Sequence, residues 1–463
     1  MIIKEIAKKS PYFIQRPIRS IYGIIPYYKK LGKIFKNTYD FLGKSQYWNK
    51  EQLEQYQVEQ LKNLLVHSYN NVPYYCKLFN ECGFNVEKFK YLDDIDKIPF
   101  LTKDLVMKNT KDLMAKNFKK SDFIYSSTGG TTGKQMRFFT QKNFSASREW
   151  AFMITQWSRI GFDYKNSRRI ILRNQVLPKG RLWIWDNCQR SLVVDTYHLT
   201  DENIKKIIDR LNYEKNPYIH TYPSAVAIIC DYIKRTGYGL TYDLKGVLAS
   251  SENIYVGQRE LIESTLNTRM FSWYGHSEQC ILAGECERSN KYHIFSEYGY
   301  TELIDNKGNV IRDNGIKGEL VGTSFNNYVM PFIRYKTEDY ACYSQDQNCK
   351  CGRNYKLLDS VEGRWLQEMI ITSKGNKISI TAMNMHSDIF DNVKNFQFYQ
   401  DTPGVCIINI VKKSSYTVKD ENVIYRELSK KLGNDVILKF NYVNNIERTK
   451  GGKYRFLIQK IKT

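Results

Sequence analysis

No run of about 18 apolar residues occurs in this chain, so no membrane-spanning helix is expected. The N-terminus carries Lys4, Lys8 and Lys9 with no uninterrupted apolar core behind them, so no secretory signal is expected either. Zinc-finger spacing, an RNP-like aromatic strand and a helix-turn-helix pattern are also missing, which leaves nucleic-acid binding resting on charge alone and argues against it. Ten cysteines are scattered through 463 residues and form no disulfide framework, which suits a reducing cytoplasm.

What is present is a globular composition, 42% hydrophobic over a length sufficient for two or three domains. The formal charge is +22, from 70 Lys and Arg against 48 Asp and Glu, and the basic residues run through the whole chain. Such a balance points to an anionic partner of some kind. Within residues 1–50, Arg16, Arg19, Lys29, Lys30, Lys33 and Lys36 alternate with Phe13, Tyr22, Tyr27, Tyr28 and Phe35. Two readings of this stretch stay open: a segment packed on the body with its lysines in water, or peripheral contact with an anionic bilayer at the inner face of a membrane.

The most informative stretch is Tyr125-Ser-Ser-Thr-Gly-Gly-Thr-Thr-Gly-Lys134. Glycine lets backbone approach an anion, Ser and Thr donate hydroxyl hydrogen bonds, and Lys134 adds charge, which is the chemistry of a phosphate-gripping loop. A Walker A loop needs Gly where Thr128 stands and Ser or Thr where Gln135 stands, so that motif is excluded. A plain Gly/Thr-rich hairpin is the competing reading.

Around this loop the pattern is layered. Leu53, Val58, Leu61, Leu64 and Leu65 predict a helix from Glu51 to about Asn70, and Thr102 is a candidate N-cap for another. Helices are predicted over Ser145–Ile160, Asp201–Leu211 and from Pro223 to Ile233. Strands are predicted at Arg169–Leu172, Ser191–Val194, Tyr218–Tyr222 and Gly246–Ser250. This alternation indicates an α/β fold with parallel sheet.

Further along, Met270-Phe-Ser-Trp-Tyr-Gly-His-Ser-Glu278 offers an aromatic face for a base, with a hydroxyl and a carboxylate for phosphate and Mg²⁺. Met330-Pro-Phe-Ile-Arg-Tyr-Lys-Thr-Glu-Asp339 ends on a carboxylate able to accept both ribose hydroxyls. Val361-Glu-Gly-Arg364 and Arg448-Thr-Lys-Gly-Gly-Lys453 complete the series.

Taken in this order, the stretches resemble the adenylate-forming ligases, and more closely the branch of phenylacetate:CoA ligase and the capsule-biosynthesis proteins called CapK. The resemblance spans nearly the whole chain. It implies a large α/β domain with layered sheets, of which residues 1–50 form part and residues 51–363 carry the ATP and acyl sites, and a small mobile α+β domain over residues 364–463. It implies Gly130, Thr131, Thr132, Gly133 and Lys134 as the grip on the ATP phosphates, with Ser127 or Thr128 supplying the hydroxyl missing at Gly129. Ser251 and Glu252 would line the adenine pocket, Tyr274 and Gly275 would pack on the base, and Ser277 would reach the α-phosphate. Glu278 corresponds to the Mg²⁺ carboxylate, Asp339 to the ribose ligand, Arg364 to the junction arginine and Lys453 to the catalytic lysine of the small domain. Gln135, Glu338 and Gln367-Glu368 depart from the usual Pro, Gly and paired aspartates.

The implied activity is attack of a small-molecule carboxylate on ATP, giving acyl-AMP and pyrophosphate, then transfer to coenzyme A or a pantetheine carrier protein. It would serve capsule or surface-polysaccharide biosynthesis in the cytoplasm, or persist only as ATP binding with weakened chemistry. Separately, Cys349-Lys-Cys351 is a tight thiolate pair that Cys286 and His293 would complete as a zinc tetrahedron if the segments meet, with Cys280 and Cys342 as rival ligands. The phenylacetate-ligase branch implies a structural Zn²⁺ of this kind. His276 is expected to line the acyl pocket, and oligomeric state is left open.

Overall fold

The computed structural model describes residues 31–128, 136–173, 175, 177, 178, 180–187, 189–254, 257–362, 369–380, 388–446 and 456–461. Helices α1 (Gly32–Ser45), α2 (Lys50–Asn71) and α3 (Pro73–Glu81) come first. A capping box starts α2: Asn49 Oδ1 accepts from the Gln52 amide at 2.8 Å, and Gln52 Oε1 accepts from the Asn49 amide at 3.0 Å. Leu61, Leu64 and Leu65 recur at helical spacing on α2 and are fully buried. Helix α4 (Lys103–Lys108) begins at Thr102, whose hydroxyl accepts from the Leu105 amide at 3.3 Å, as the sequence predicts.

Within residues 31–50 the packed reading of the basic stretch is the one observed. Phe35 and Leu42 of α1 join a core with Phe152 and Trp157, while Lys33 and Lys36 face solvent. Residues 1–30 of that stretch lie outside the described residues. Among the described residues, no helix is long and apolar enough to cross a membrane.

Strands β1 (Phe123–Ser127) and β2 (Arg137–Gln141) pair antiparallel and bracket the phosphate-loop sequence. A single sheet of thirteen strands follows. In chain order these are β3 (Arg169–Leu172), β4 (Trp183–Asp186), β5 (Ser191–Val194), β6 (Tyr218–Thr221), β7 (Gly246–Ser250), β8 (Met270–Gly275), β9 (Leu282–Cys286), β10 (Ser289–Ile294), β11 (Gly299–Ile304), β12 (Val310–Ile311), β13 (Lys317–Ser324), β14 (Tyr335–Tyr343) and β15 (Leu357–Glu362). Neighbours β5, β3, β6, β7 and β8 are parallel, and their near-continuous Val, Ile and Leu are buried.

Helices α5 (Ser145–Ser158), α6 (Asp201–Glu214), α7 (Pro223–Thr236) and α8 (Gln258–Leu266) belong to this half. Helix α5 stops before the predicted Ile160, whereas α6 and α7 continue past Leu211 and Ile233. The reason for α7 is its cap: Gly237, at φ 71°, takes the left-handed conformation and its amide closes on the Ile233 carbonyl.

Parallel sheet describes only half of the observed sheet. From β8 onward the order is β8-β9-β10-β15-β14-β13-β11-β12, and every pairing is antiparallel. This half brings distant motifs together.

Residues after the junction build a second core. Strands β16 (Met369–Ile371) and β17 (Lys377–Ser379) form a hairpin, while β18 (Val393–Thr402), β19 (Val405–Lys412), β20 (Ile437–Tyr442) and β21 (Leu457–Gln459) form a sheet ordered β20-β19-β18-β21. Helix α9 (Val418–Leu432) buries Ile424 and Leu428 against Phe396, Phe398 and Ile408. Tyr197 of the large sheet region also packs into this core, and Arg137 of β2 forms an ion pair with Asp391.

Candidate active site

Strand β8 delivers Tyr274 to the site, and its hydroxyl donates to Asp339 Oδ2 on β14 at 2.8 Å. Burial, followed by the Asp339 charge, pushes the Tyr274 phenol far above its ordinary value, so it stays a neutral donor. Just past the strand, Gly275 runs close to Leu282, where a Cβ would come within 3.0 Å of Cδ1. Ser277 follows half-buried in the same turn.

Glu278 is buried and accepts from the Tyr335 hydroxyl at 2.9 Å and from His276 Nδ1 at 3.1 Å. Burial raises its pKa, but hydrogen bonding and charge from His276, together with Tyr335, outweigh that and hold the carboxyl at about 2. The His276 ring lies beside both Tyr274 and Tyr335, with centroids 6.0 and 6.5 Å away. A polar and aromatic corner therefore holds the Glu278 carboxylate in its ionised form at neutral pH. An ionised carboxylate of this kind fits a hard divalent cation such as Mg²⁺.

The residue before Asp339 shows how the Glu338 departure is accommodated. Glu338 adopts φ 61° at a register shift between β13 and β14, and its amide donates to Glu319 Oε1 at 3.1 Å. Glycine occupies this conformation freely, whereas a side chain pays roughly 1–2 kcal/mol there. The strain leaves Asp339 in contact with Tyr274.

On the neighbouring strand, Ser251 leaves β7 at φ 69° and its hydroxyl accepts from Arg173 at 3.0 Å. The same guanidinium contacts His220 Nε2 at 3.0 Å and lies 4.8 Å from the centre of the Tyr222 ring. Glu252, expected to line the adenine pocket, is engaged at the start of α7. Its two oxygens accept from the Ser224 amide and hydroxyl, each at 2.9 Å, so it caps α7.

At the neck of the phosphate loop, Ser127 and Thr128 are buried. The Thr128 amide donates to the Met136 carbonyl and its hydroxyl accepts from the Met136 amide, both at 3.0 Å. Gly130, Thr131, Thr132, Gly133, Lys134, Arg364 and Lys453 lie outside the described residues. Tyr335 and Arg173 were not singled out from sequence. Tyr335 stands inside the Met330–Asp339 stretch, but nothing in the string marks it as the partner of Glu278.

A second constellation forms where β9 and β10 meet the loop before β15. Cys286, His293, Cys349 and Cys351 have donor atoms all within 4.8 Å of one another. Cys286 Sγ is 3.5 Å from Cys349 Sγ, and Cys351 Sγ is 3.3 Å from His293 Nε2. His293 Nδ1 contacts the Lys291 carbonyl at 3.1 Å, so Nδ1 carries the proton and Nε2 offers a lone pair to the thiols. Backbone further shapes the cluster: the Arg288 amide donates to Cys286 Sγ at 3.3 Å. The rival thiols point elsewhere, Cys280 to the Glu278 carbonyl and Cys342 to that of Tyr343. Three thiols and one imidazole without an open position fit a closed, structural Zn²⁺ site.

Residues 370–460 match the CapK C-terminal domain. Over 405 residues the chain is 25% identical to protein CapK of Staphylococcus aureus, covering 85% of this chain and 86% of that protein. It is 28% identical over 293 residues to a phenylacetate-coenzyme A ligase of Pseudomonas putida, covering 62% and 66% of the two. Among solved structures, 2-hydroxyisobutyryl-CoA ligase in complex with 2-HIB-AMP and CoA aligns with a TM-score of 0.58 at 15% identity, over 89% of this chain and 91% of that one. That likeness establishes the fold, a mixed α/β architecture shared with adenylate-forming CoA ligases. Residues 370–460 thus match the CapK C-terminal domain, and the chain is similar over most of its length to CapK and to phenylacetate-coenzyme A ligases, with the fold of adenylate-forming CoA ligases.

Proposed function

We propose that this chain activates a carboxylic acid with ATP and passes the acyl group to the thiol of coenzyme A. The carrying observation is the assembly of two motifs distant in sequence in one corner: Tyr274 on Asp339, with ionised Glu278 beside them. Tyr274 and the residues after it would pack on adenine, Asp339 would accept the ribose hydroxyls, and Ser277 would donate to the α-phosphate. Mg²⁺ held at Glu278 would offset phosphate charge when bound.

In the reaction, a carboxylate oxygen bonds to the α-phosphorus of ATP as the bond to pyrophosphate breaks. No protein nucleophile is needed, and the acid is already ionised at neutral pH. Negative charge on the phosphate oxygens is met by donors from the chain, Lys134 and Lys453 among them. The thiolate of coenzyme A then attacks the acyl carbon and AMP leaves. Residues 364–463 would act as a small domain that closes over the site and swings between the two steps, with Arg364 at its junction.

The Cys286, His293, Cys349 and Cys351 cluster would hold Zn²⁺ and fasten the loop before β15, with no part in the chemistry. Resemblance to CapK favours a place in capsule or surface-polysaccharide biosynthesis, in the cytoplasm where ATP and coenzyme A are held. The test is pyrophosphate release from ATP and Mg²⁺ over a panel of aryl, aliphatic, amino and hydroxylated acids, with and without coenzyme A. Acid-dependent release that coenzyme A accelerates supports the reading. No release with any acid, from protein that binds ATP, overturns it.

A further inference from the structure

The residue before Tyr335 combines three features that seldom occur together. Arg334 is charged, it is 3% exposed, and its backbone takes φ 50°, a left-handed conformation that side chains rarely occupy. Such strain persists only where the surroundings over-determine it.

Each nitrogen of the guanidinium is engaged. Nε donates to Glu302 Oε2 at 3.2 Å and Nη2 to Glu302 Oε1 at 2.7 Å, a two-pronged pair with a carboxylate on β11 that is itself 1% exposed. Nη1 donates to the carbonyls of Asp96 and Ile98 at 2.8 and 2.7 Å. The Phe100 ring covers the guanidinium plane, with its centroid 4.2 Å from Cζ.

The backbone on either side of Tyr335 is gripped as well. The Arg334 amide donates to Thr323 Oγ1 on β13 at 3.0 Å, and the Arg334 carbonyl accepts from the Leu101 amide at 3.0 Å. One residue on, the Lys336 amide donates to the Leu101 carbonyl at 2.9 Å. Tyr335 is therefore bridged to Leu101 on one side and paired with Gly322 of β13 on the other. From that frame its ring packs on Phe332, with centroids 5.1 Å apart, and its hydroxyl meets Glu278 Oε1 at 2.9 Å.

A buried ion pair adds little net stability, because desolvation offsets most of its attraction. An apolar side chain could fill the same volume, but it could not fix a left-handed turn with four directed hydrogen bonds. The gain from the pair is geometry. Asp339, on the same strand, is separated from Lys336 by the register shift between β13 and β14 and is met by Tyr274 of β8. The clamp thus governs the Glu278 half of the corner and leaves the Asp339 half to other contacts.

We propose that Arg334, paired with Glu302, is a positioning residue for adenylation: it holds the turn from which Tyr335 reaches Glu278, and so sets the direction of that carboxylate. The proposal rests on the adenylation reading and adds a residue that acts through Tyr335 without touching substrate.

The experiment compares full-length wild type with Arg334→Lys, Tyr335→Phe and the double variant by pyrophosphate release, using the acid that supports the fastest release in the panel. In parallel, titration calorimetry measures AMP binding without magnesium. Each single variant is expected to lower kcat about 10-fold, the loss of one charge-assisted hydrogen bond, with AMP affinity unchanged. The double variant is expected to lose about 10-fold in total, because both changes remove the same interaction. Because breaking a buried pair can prevent folding, Phe100→Leu is the second variant; it keeps the pair and removes only the ring against it. Its smaller loss of kcat should vanish in the Tyr335→Phe background.

Losses that multiply to about 100-fold in the double variant overturn the proposal, since independent effects add in free energy. So does an unchanged kcat in the variants that fold, or an AMP affinity that falls in step with kcat, the mark of a residue that only supports the core. In each of these cases adenylation by the wild type stands. No release by the wild type with any acid overturns the adenylation reading, and the role of Arg334 falls with it.

Discussion

The nucleotide corner and the Cys/His cluster are each built from residues some sixty positions apart, yet their chemistry is settled in opposite ways. At the corner, donors and acceptors satisfy one another: Tyr274 donates to Asp339, while Tyr335 and His276 hold Glu278. In the cluster the thiols have mainly each other. A hydrogen bond from Cys286 pulls the Cys351 thiol down and pushes Cys286 itself up, so the second proton is harder to remove than the first. The groups of the corner already have partners in one another, whereas the cluster brings together the closed ligand set that a cation would fill. Preorganisation suits a site that must release its product, and a closed ligand set would suit a structural clasp.

The largest expected effect breaks the clasp. Cys349→Ser with Cys351→Ser should reduce zinc from about one equivalent to near zero and lower the thermal midpoint, since structural zinc sites contribute about 10 kcal/mol or more of binding free energy. Metal analysis and calorimetry on protein purified without added zinc check this, and full occupancy in the double variant would remove these ligands. At the catalytic end, Lys453→Ala should slow pyrophosphate release by about 100-fold or more while ATP binding persists. An unchanged rate would take Lys453 out of the reaction.

The comparison sharpens through pH. Glu278, held at about 2 against an ordinary 4.5, contributes stability that is present above about 4.5 and lost as pH falls toward 2. Glu149, raised to about 7 from the same ordinary value, contributes in the opposite sense: its share is present below about 4.5 and lost as pH rises toward 7. Thermal midpoints measured across this range should show Glu278→Gln flattening the acid limb and Glu149→Gln flattening the decline toward neutrality. Identical profiles for both variants would show that the two carboxyls are not differently held.

The smallest effect concerns Glu338. Glu338→Gly should leave activity unchanged and stabilise the fold by up to about 1 kcal/mol, because the left-handed backbone suits glycine. Denaturant unfolding checks it, and a loss of stability would mean that the Glu338 side chain makes contacts outweighing its strain.

Local pattern carried much of the architecture. Strands at Arg169–Leu172, Ser191–Val194 and Gly246–Ser250 lie where apolar runs alternate with helical periodicity. The order of the antiparallel half was illegible because some of its strands pair across long stretches of chain, with β10 joining β15 and β11 joining β13, and no local signal specifies such partners. Glu252 shows the converse. Motif position placed it at the adenine pocket, and only the fold shows that its carboxylate also accepts from the Ser224 amide and hydroxyl at the start of α7.

Sequence by itself determined which chemistries this protein carries: a Gly/Thr/Lys loop, a Tyr-Gly-x-Ser-Glu turn, a terminal lysine motif and four metal-competent side chains, because residue type sets charge, donor capacity and backbone freedom. Tertiary structure alone decided which of them meet. Tyr274 finds Asp339 65 residues away, and Cys286 finds Cys349 63 residues away, only because the packed sheet buries apolar faces that bring those segments together. Burial then did what no string of letters encodes, separating two chemically identical carboxyls, Glu278 and Glu149, to about 2 and about 7.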